Sequence, residues 1–231
     1  MLPIKGIQKT TLIDYPDKIA SIIFIGGCNF QCPYCHNRDL VLNHINLPTI
    51  TEKEVFEFLN KRKKYIEGVV ISGGEPTLNP GLVEFITKIK DLGLLIKIDT
   101  NGSNPTVLKE LIDKIDYIAM DIKAPLGKYQ QITRARVNKE NIQESIDLIK
   151  NSKVDYEMRM TFVPSMIDKQ DIEEIGKLLK GVKQFYIQQF RPVSCIDEHF
   201  DKIKPFSVEE LREFQIILKK YIDKVEIRGF S

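Results

Sequence analysis

From Ile19 onward, short apolar runs alternate with longer stretches in which apolar residues recur every three or four positions. The short runs read as buried strands and the longer ones as amphipathic helices, which is the rhythm of repeated βα units around a largely parallel sheet. Six such strands are predicted, at 19–26 (IASIIFIG), 68–72 (GVVIS), 94–99 (LLIKID), 117–123 (YIAMDIK), 155–163 (DYEMRMTFV) and 184–190 (QFYIQQF), all rich in Ile, Val and aromatics. Helices are predicted at 52–65, 81–92, 105–115, 138–151, 169–180 and 207–222. Thr51, with Glu54 three residues on, has the form of a capping box, and Gly93 and Gly181 stand where two helices should stop. A short run at 225–228 suggests one more strand after the last helix. The expectation is a single α/β domain over 1–231, with its core at about 19–191 and a C-terminal helix and strand in 205–231.

Periodicity alone leaves an open doubly wound sheet and a partial or complete βα barrel equally possible. Both place ligands beyond the C-terminal ends of the strands, and the unusual residues of this chain gather there. Cys28 follows the first predicted strand, Ser72-Gly73-Gly74-Glu75 the second and Asp99-Thr100-Asn101-Gly102 the third, while Asp121 and Lys123 end the fourth.

Composition narrows the picture further. The chain has 231 residues, 42% hydrophobic and 29% charged, with 34 Lys+Arg against 32 Asp+Glu for a net charge of +2. This balance calls for neither a nucleic-acid partner nor disorder, and the basic run Lys61-Arg62-Lys63-Lys64 reads as a solvated helix C-terminus, where cations complement the dipole. The N-terminus has no leader-like apolar segment and no apolar run reaches the ~18 residues of a membrane span. A cytoplasmic protein with no membrane partner is therefore expected. Of four cysteines, Cys28, Cys32 and Cys35 lie within eight positions, which suggests a metal centre rather than disulfides.

The spacing C-x3-C-x2-C lets one loop turn three thiolates toward a common centre. Four-iron clusters take one cysteine per iron, so three leave an iron open to an exogenous ligand. A zinc site would need a fourth ligand. His36, adjacent to Cys35, would be strained as that ligand, and Cys195 is isolated in sequence and reads as a small buried hydrophobe.

With Tyr34 before the last cysteine, this segment resembles the cluster loop of radical S-adenosylmethionine (SAM) enzymes, and CHNRD, SGGEPTLNP, DTNG and MDIKAP resemble the glycyl-radical enzyme activating family, over roughly 4–191. The resemblance implies a partial (β/α)6 barrel in which Cys28, Cys32 and Cys35 hold a 4Fe–4S cluster and SAM chelates the fourth iron. It also implies that Gly73, Gly74 and Glu75 receive the SAM amino group, that Asp99, Thr100 and Asp121 make polar contacts around the ribose and carboxylate with a monovalent cation beside Asp99 and Asp121, and that Lys123 pairs with the carboxylate. Tyr34, His36, Asn37, Asn101 and Arg159 join these as cofactor-binding residues. Arg159 is set among apolar neighbours, where a buried guanidinium needs an anion. The implied activity is reductive cleavage of SAM and abstraction of a glycine hydrogen from a partner enzyme, with anaerobic ribonucleotide reductase as that partner and ferredoxin or flavodoxin as electron donor. Arg191 stands where the pyruvate formate-lyase activating enzymes have His, which leaves the substrate open. A radical SAM enzyme of small molecules or nucleosides, and a non-catalytic iron–sulfur or zinc-stabilised protein, are the alternatives.

Overall fold

The computed structural model describes residues 2–229; Met1, Phe230 and Ser231, at the ends of the expected domain span, lie outside the described residues. Eight strands form one sheet in sequential order: β1 (Ile4–Thr11), β2 (Ala20–Ile25), β3 (Gly68–Gly73), β4 (Leu95–Thr100), β5 (Tyr117–Asp121), β6 (Asp155–Phe162), β7 (Gln184–Gln189) and β8 (Lys224–Arg228). From β2 to β8 every pairing is parallel, whereas β1 runs antiparallel to β2. The helices are α1 (Arg38–Leu42), α2 (Glu52–Arg62), α3 (Leu82–Lys90), α4 (Pro105–Leu111), α5 (Tyr129–Thr133), α6 (Lys139–Asn151), α7 (Lys169–Leu178) and α8 (Val208–Leu218).

The six predicted strands and the short C-terminal one are all present, within one or two residues of their expected ends, and so are the six predicted helices, each of them shorter than expected. The Thr51–Glu54 capping box forms, and Gly93 and Gly181 adopt left-handed conformations just past α3 and α7. The sequence reading passes over β1, because IKGIQKTT is an edge strand with mixed polarity and no run of buried positions. It also passes over α1 and α5, which at five residues each are too short to show a helical period. Among the described residues no helix is long and apolar enough to cross a membrane.

Alternation along the strands separates two environments. On β6, Tyr156, Met158, Met160 and Phe162 are buried in the main core, while Glu157, Arg159 and Thr161 take the opposite face. Phe162 stacks at tilted angles on Phe185 of β7 and Phe214 of α8, so one ring ties two strands to the last long helix. A second, smaller cluster of Tyr15, Ala20, Ile22 and Val70, with Phe24, Leu95 and Tyr117 against it, fills the inner face near the strand N-termini. The inner face is thus apolar at its floor and polar toward the strand C-termini. Among the described residues β1 and β8 do not pair, so the curved sheet stays open on one side.

Replacing Phe162 by Ala should lower stability by about 3–5 kcal/mol, the usual cost of emptying a buried aromatic site. Urea titration checks this, and a loss below about 1 kcal/mol would show that the ring does not join these elements.

Candidate active site

At the C-terminal ends of β2–β7 lies a cavity of ≈ 320 Å³. Its walls include Cys28, Cys32, Tyr34, Cys35, His36 and Asn37 from the β2–α1 loop, Gly73 and Gly74 at the end of β3, Asp99, Thr100 and Asn101 at the end of β4, Asp121 and Lys123 at and just past the end of β5, and Arg159 from β6. Every residue the sequence nominates is therefore brought to one place, with one exception.

The exception is Glu75. Its side chain is not part of the cavity wall; it is fully buried, and its carboxylate is consumed by the protein. Oε1 accepts from the Thr77 amide (3.1 Å), the Thr77 hydroxyl (2.6 Å) and the Thr100 hydroxyl (2.8 Å), and Oε2 accepts from the Asn101 amide (2.6 Å). Burial pushes its pKa up, and these four donors work against that shift by favouring the ionised form. Against the expectation that the Glu75 side chain faces the ligand, it lies behind the cavity wall, where it clamps the loop after β3 to the loop after β4.

Other bonds join the loops to one another. Asn37 Nδ2 donates to the Gly73 carbonyl (2.7 Å), Asn101 Nδ2 to Asn29 Oδ1 (2.9 Å), and the amides of Gly74 and Glu75 to the carbonyls of Ile25 and Gly27 (2.8 Å each). Gly74 has to be glycine, because a Cβ there would collide with the Gly27 carbonyl immediately before Cys28. Gly73 adds a left-handed φ of 120°.

All four cysteines are free thiols. Burial pushes the Cys28 thiol up to about 12 and the Cys32 thiol up to about 11, and raises Cys35 as well. Lys123 is the cation that pulls all three the other way, so an anion held by these sulfurs would find its counter-charge in place. Among the described residues no three His, Cys, Asp or Glu side chains are grouped to hold a single metal ion. Three thiolates that share one cavity provide one ligand each for three irons of a polynuclear cluster.

The polar inner face carries a dense charge array. Arg159 Nη2 lies 3.0 Å from Asp121 Oδ2 and 3.2 Å from Asp99 Oδ2. Asp99 also accepts from Ser72 Oγ (2.8 Å) and pairs with the ammonium of Lys97, whose side chain is only 2% exposed. Lys123 Nζ stands 3.5 Å from Asp121. Burial would raise both carboxylates, yet Arg159 first, with Lys97 at Asp99 and Lys123 at Asp121, holds each below its usual range. The anion that Arg159 needs is thus supplied, at least in part, by the chain itself. Sequence reading missed Lys97, Thr161 and Gln188, and it placed Ser72 at a strand end without a role; Ser72, Thr161 and Gln188 line the cavity. The available signal was period two, since Lys97 precedes Asp99 by two positions and Thr161 follows Arg159 by two.

His36 donates from Nε2 to the Arg191 carbonyl (2.8 Å), whereas the Arg191 residue is exposed and outside the cavity wall. Cys195 is fully buried beside the cysteine loop, to which the neighbouring Ile196 amide is tied through the Cys35 carbonyl (3.0 Å), but it does not line the cavity. Arg62, from the basic run, donates to Thr10 Oγ1 (2.7 Å).

Comparison with known proteins follows the same lines. The profile of the Radical SAM superfamily matches residues 22–180. A protein of Methanocaldococcus jannaschii, provisionally named a glycyl-radical enzyme activating enzyme, is 42% identical over 99% of this chain and 96% of its own length. The pyruvate formate-lyase-activating enzyme of Clostridium pasteurianum is 26% identical over 96% of this chain and 94% of its own. Among solved structures, a domain of the pyruvate-formate lyase-activating enzyme from Bacteroides vulgatus superposes with a TM-score of 0.57 at 20% identity, covering 70% of this chain and 99% of that one, a likeness of fold.

Glu75→Gln tests this clamping role. An amide NH2 would face groups that are themselves donors, so the variant should lose about 1–3 kcal/mol of stability. Thermal unfolding measures it; an unchanged midpoint would return Glu75 to the pool of ligand-contacting residues.

Proposed function

The chain belongs to the radical SAM superfamily, in its glycyl-radical enzyme activating branch, and on that premise we propose that it generates the glycyl radical of an anaerobic ribonucleotide reductase. The observation that carries this reading is the assembly of three free thiols and the polar ends of four strands around one cavity. A 4Fe–4S cluster bound here together with SAM would supply reductive cleavage of SAM, on an electron from ferredoxin or flavodoxin, and with it the means to take the glycine hydrogen.

The protein's own part is binding, orientation and exclusion of water. Cys28, Cys32 and Cys35 would hold the cluster, and the apolar walls of Phe30, Tyr34 and Val41 keep solvent from it. Lys123 faces the thiols and Asp121 together, which suits it to a carboxylate ligand beside an anionic centre. The glycine pair at 73–74 lets a ligand approach the backbone closely, and Thr100, Asn101 and Asn37 offer hydroxyl and amide groups at the rim. Tyr34, His36 and Asn37 belong to the loop that sets the thiols, and His36 fixes that loop to the end of β7.

Among the described residues β1 and β8 leave the sheet open between them, which supports a protein substrate, because a lateral opening admits a loop of a partner chain. Holding that loop with its Cα against the reactive carbon is an orientation effect that can be worth ~7–11 kcal/mol of the barrier.

Cys32→Ala should abolish both cluster incorporation and formation of 5′-deoxyadenosine after anaerobic reconstitution and dithionite reduction with SAM, while Cys195→Ala, outside the cavity, should retain both. Iron and sulfide content together with chromatography of the nucleoside decides. Full SAM cleavage by Cys32→Ala would refute the reading.

A further inference from the structure

The resemblance to activating enzymes implies a monovalent cation beside Asp99 and Asp121, but the charges of this chain do not fit one. The position between the two carboxylates holds a guanidinium nitrogen: Arg159 Nη2 is within 3.2 Å of one oxygen of Asp99 and 3.0 Å of one oxygen of Asp121, and Arg159 Nε is 3.3 Å from the other oxygen of Asp121. The other oxygen of Asp99 carries the Lys97 ammonium. Lys123 adds a third cation at Asp121.

Further along the inner face, Glu157 is 1% exposed and forms a two-pronged pair with Arg228 of β8, both bonds 2.9 Å, with Arg159 Nη1 3.7 Å away. Three carboxylates, Asp99, Asp121 and Glu157, thus meet four cations, Lys97, Lys123, Arg159 and Arg228. The array already carries a surplus positive charge, suited to a ligand carboxylate or an anionic cluster. An alkali ion would add to the surplus and would have to share oxygens that already accept from Lys97, Ser72, Arg159 and Lys123.

Lys97 differs from the others in position. Arg159 and Lys123 line the cavity, where an incoming carboxylate competes for them, whereas Lys97 approaches Asp99 from outside the cavity wall and is buried. When a ligand carboxylate draws Lys123 toward itself, Arg159 stays between the two carboxylates and Lys97 keeps the far oxygen of Asp99 neutralised. A mobile cation would otherwise have that task.

Resting on the reading of this cavity as a SAM site, we propose that Lys97 and Arg159 take the place of an alkali cation, so that SAM binds to this chain without any metal cation between Asp99 and Asp121. Equilibrium titration of SAM into the cluster-reconstituted protein tests this, at one ionic strength set with KCl, NaCl or choline chloride so that screening is constant. The three dissociation constants should agree within about twofold. A tightening of about tenfold or more in K⁺ or Na⁺ over choline would overturn the proposal.

Lys97→Met, which keeps the length and removes the charge, should bind SAM about tenfold more weakly in choline and recover in KCl. If this variant unfolds at the wild-type melting temperature yet binds with wild-type affinity in every salt, Lys97 is not the counter-charge and the proposal fails; if it does not fold, the wild-type salt series decides alone. Absence of saturable SAM binding in all three salts would instead reject the SAM reading of the cavity, a different result from alkali dependence.

Discussion

The fully buried carboxylate of Glu75 holds the mouth of the barrel in one arrangement. It gathers the amide and hydroxyl of Thr77, the hydroxyl of Thr100 and the amide of Asn101, and so fixes the loop after β3 to the loop after β4. An ionised carboxylate away from water is costly, and charge-assisted bonds of ~1.5–3 kcal/mol each are the scale needed to offset that cost. Asn101, once held, reaches across to Asn29 in the cysteine loop, while Asn37 in that loop reaches back to Gly73. The thiols are positioned by neighbouring loops that are themselves anchored in the sheet, which is how a short and glycine-rich segment can present three sulfurs to one cavity.

Below this rim the interior has two regimes. Near the strand N-termini it is packed with Tyr15, Ile22, Val70 and Tyr117; from the level of Lys97, which pairs in register with Val70 and Tyr117, a lattice of paired charges extends to Asp99, Asp121, Arg159, Glu157 and Arg228. The pairs link strands β4, β5, β6 and β8, so they tie these strands together as well as setting the potential of the cavity. Breaking such a buried pair leaves an uncompensated charge, so the array behaves as a unit.

Much of this was readable in the sequence, for identifiable reasons. Parallel strands buried on both faces give continuous apolar runs, which is why GVVIS and QFYIQQF stand out, and strand-end residues such as Asp99 and Asp121 follow those runs directly. The edge strand β1 lacks that signal because much of it is exposed. Side-chain direction was harder: Glu75 sits in a motif that the resemblance assigns to ligand, and only the geometry of Thr77 and Thr100 turns it inward. Lys97 was hidden for the opposite reason, being a lysine inside an apolar run that alternation places on the same face as Asp99.

These features describe a radical SAM chain whose strand ends gather thiols and charges around one cavity and whose curved sheet, among the described residues, is open on one side. The most direct test mixes the reconstituted protein, SAM and a reductant with the anaerobic ribonucleotide reductase of the same organism and records the electron paramagnetic resonance spectrum. A doublet that collapses to a singlet when the reductase carries α-deuterated glycine is the predicted result. Formation of 5′-deoxyadenosine with no such signal on the reductase would contradict the account.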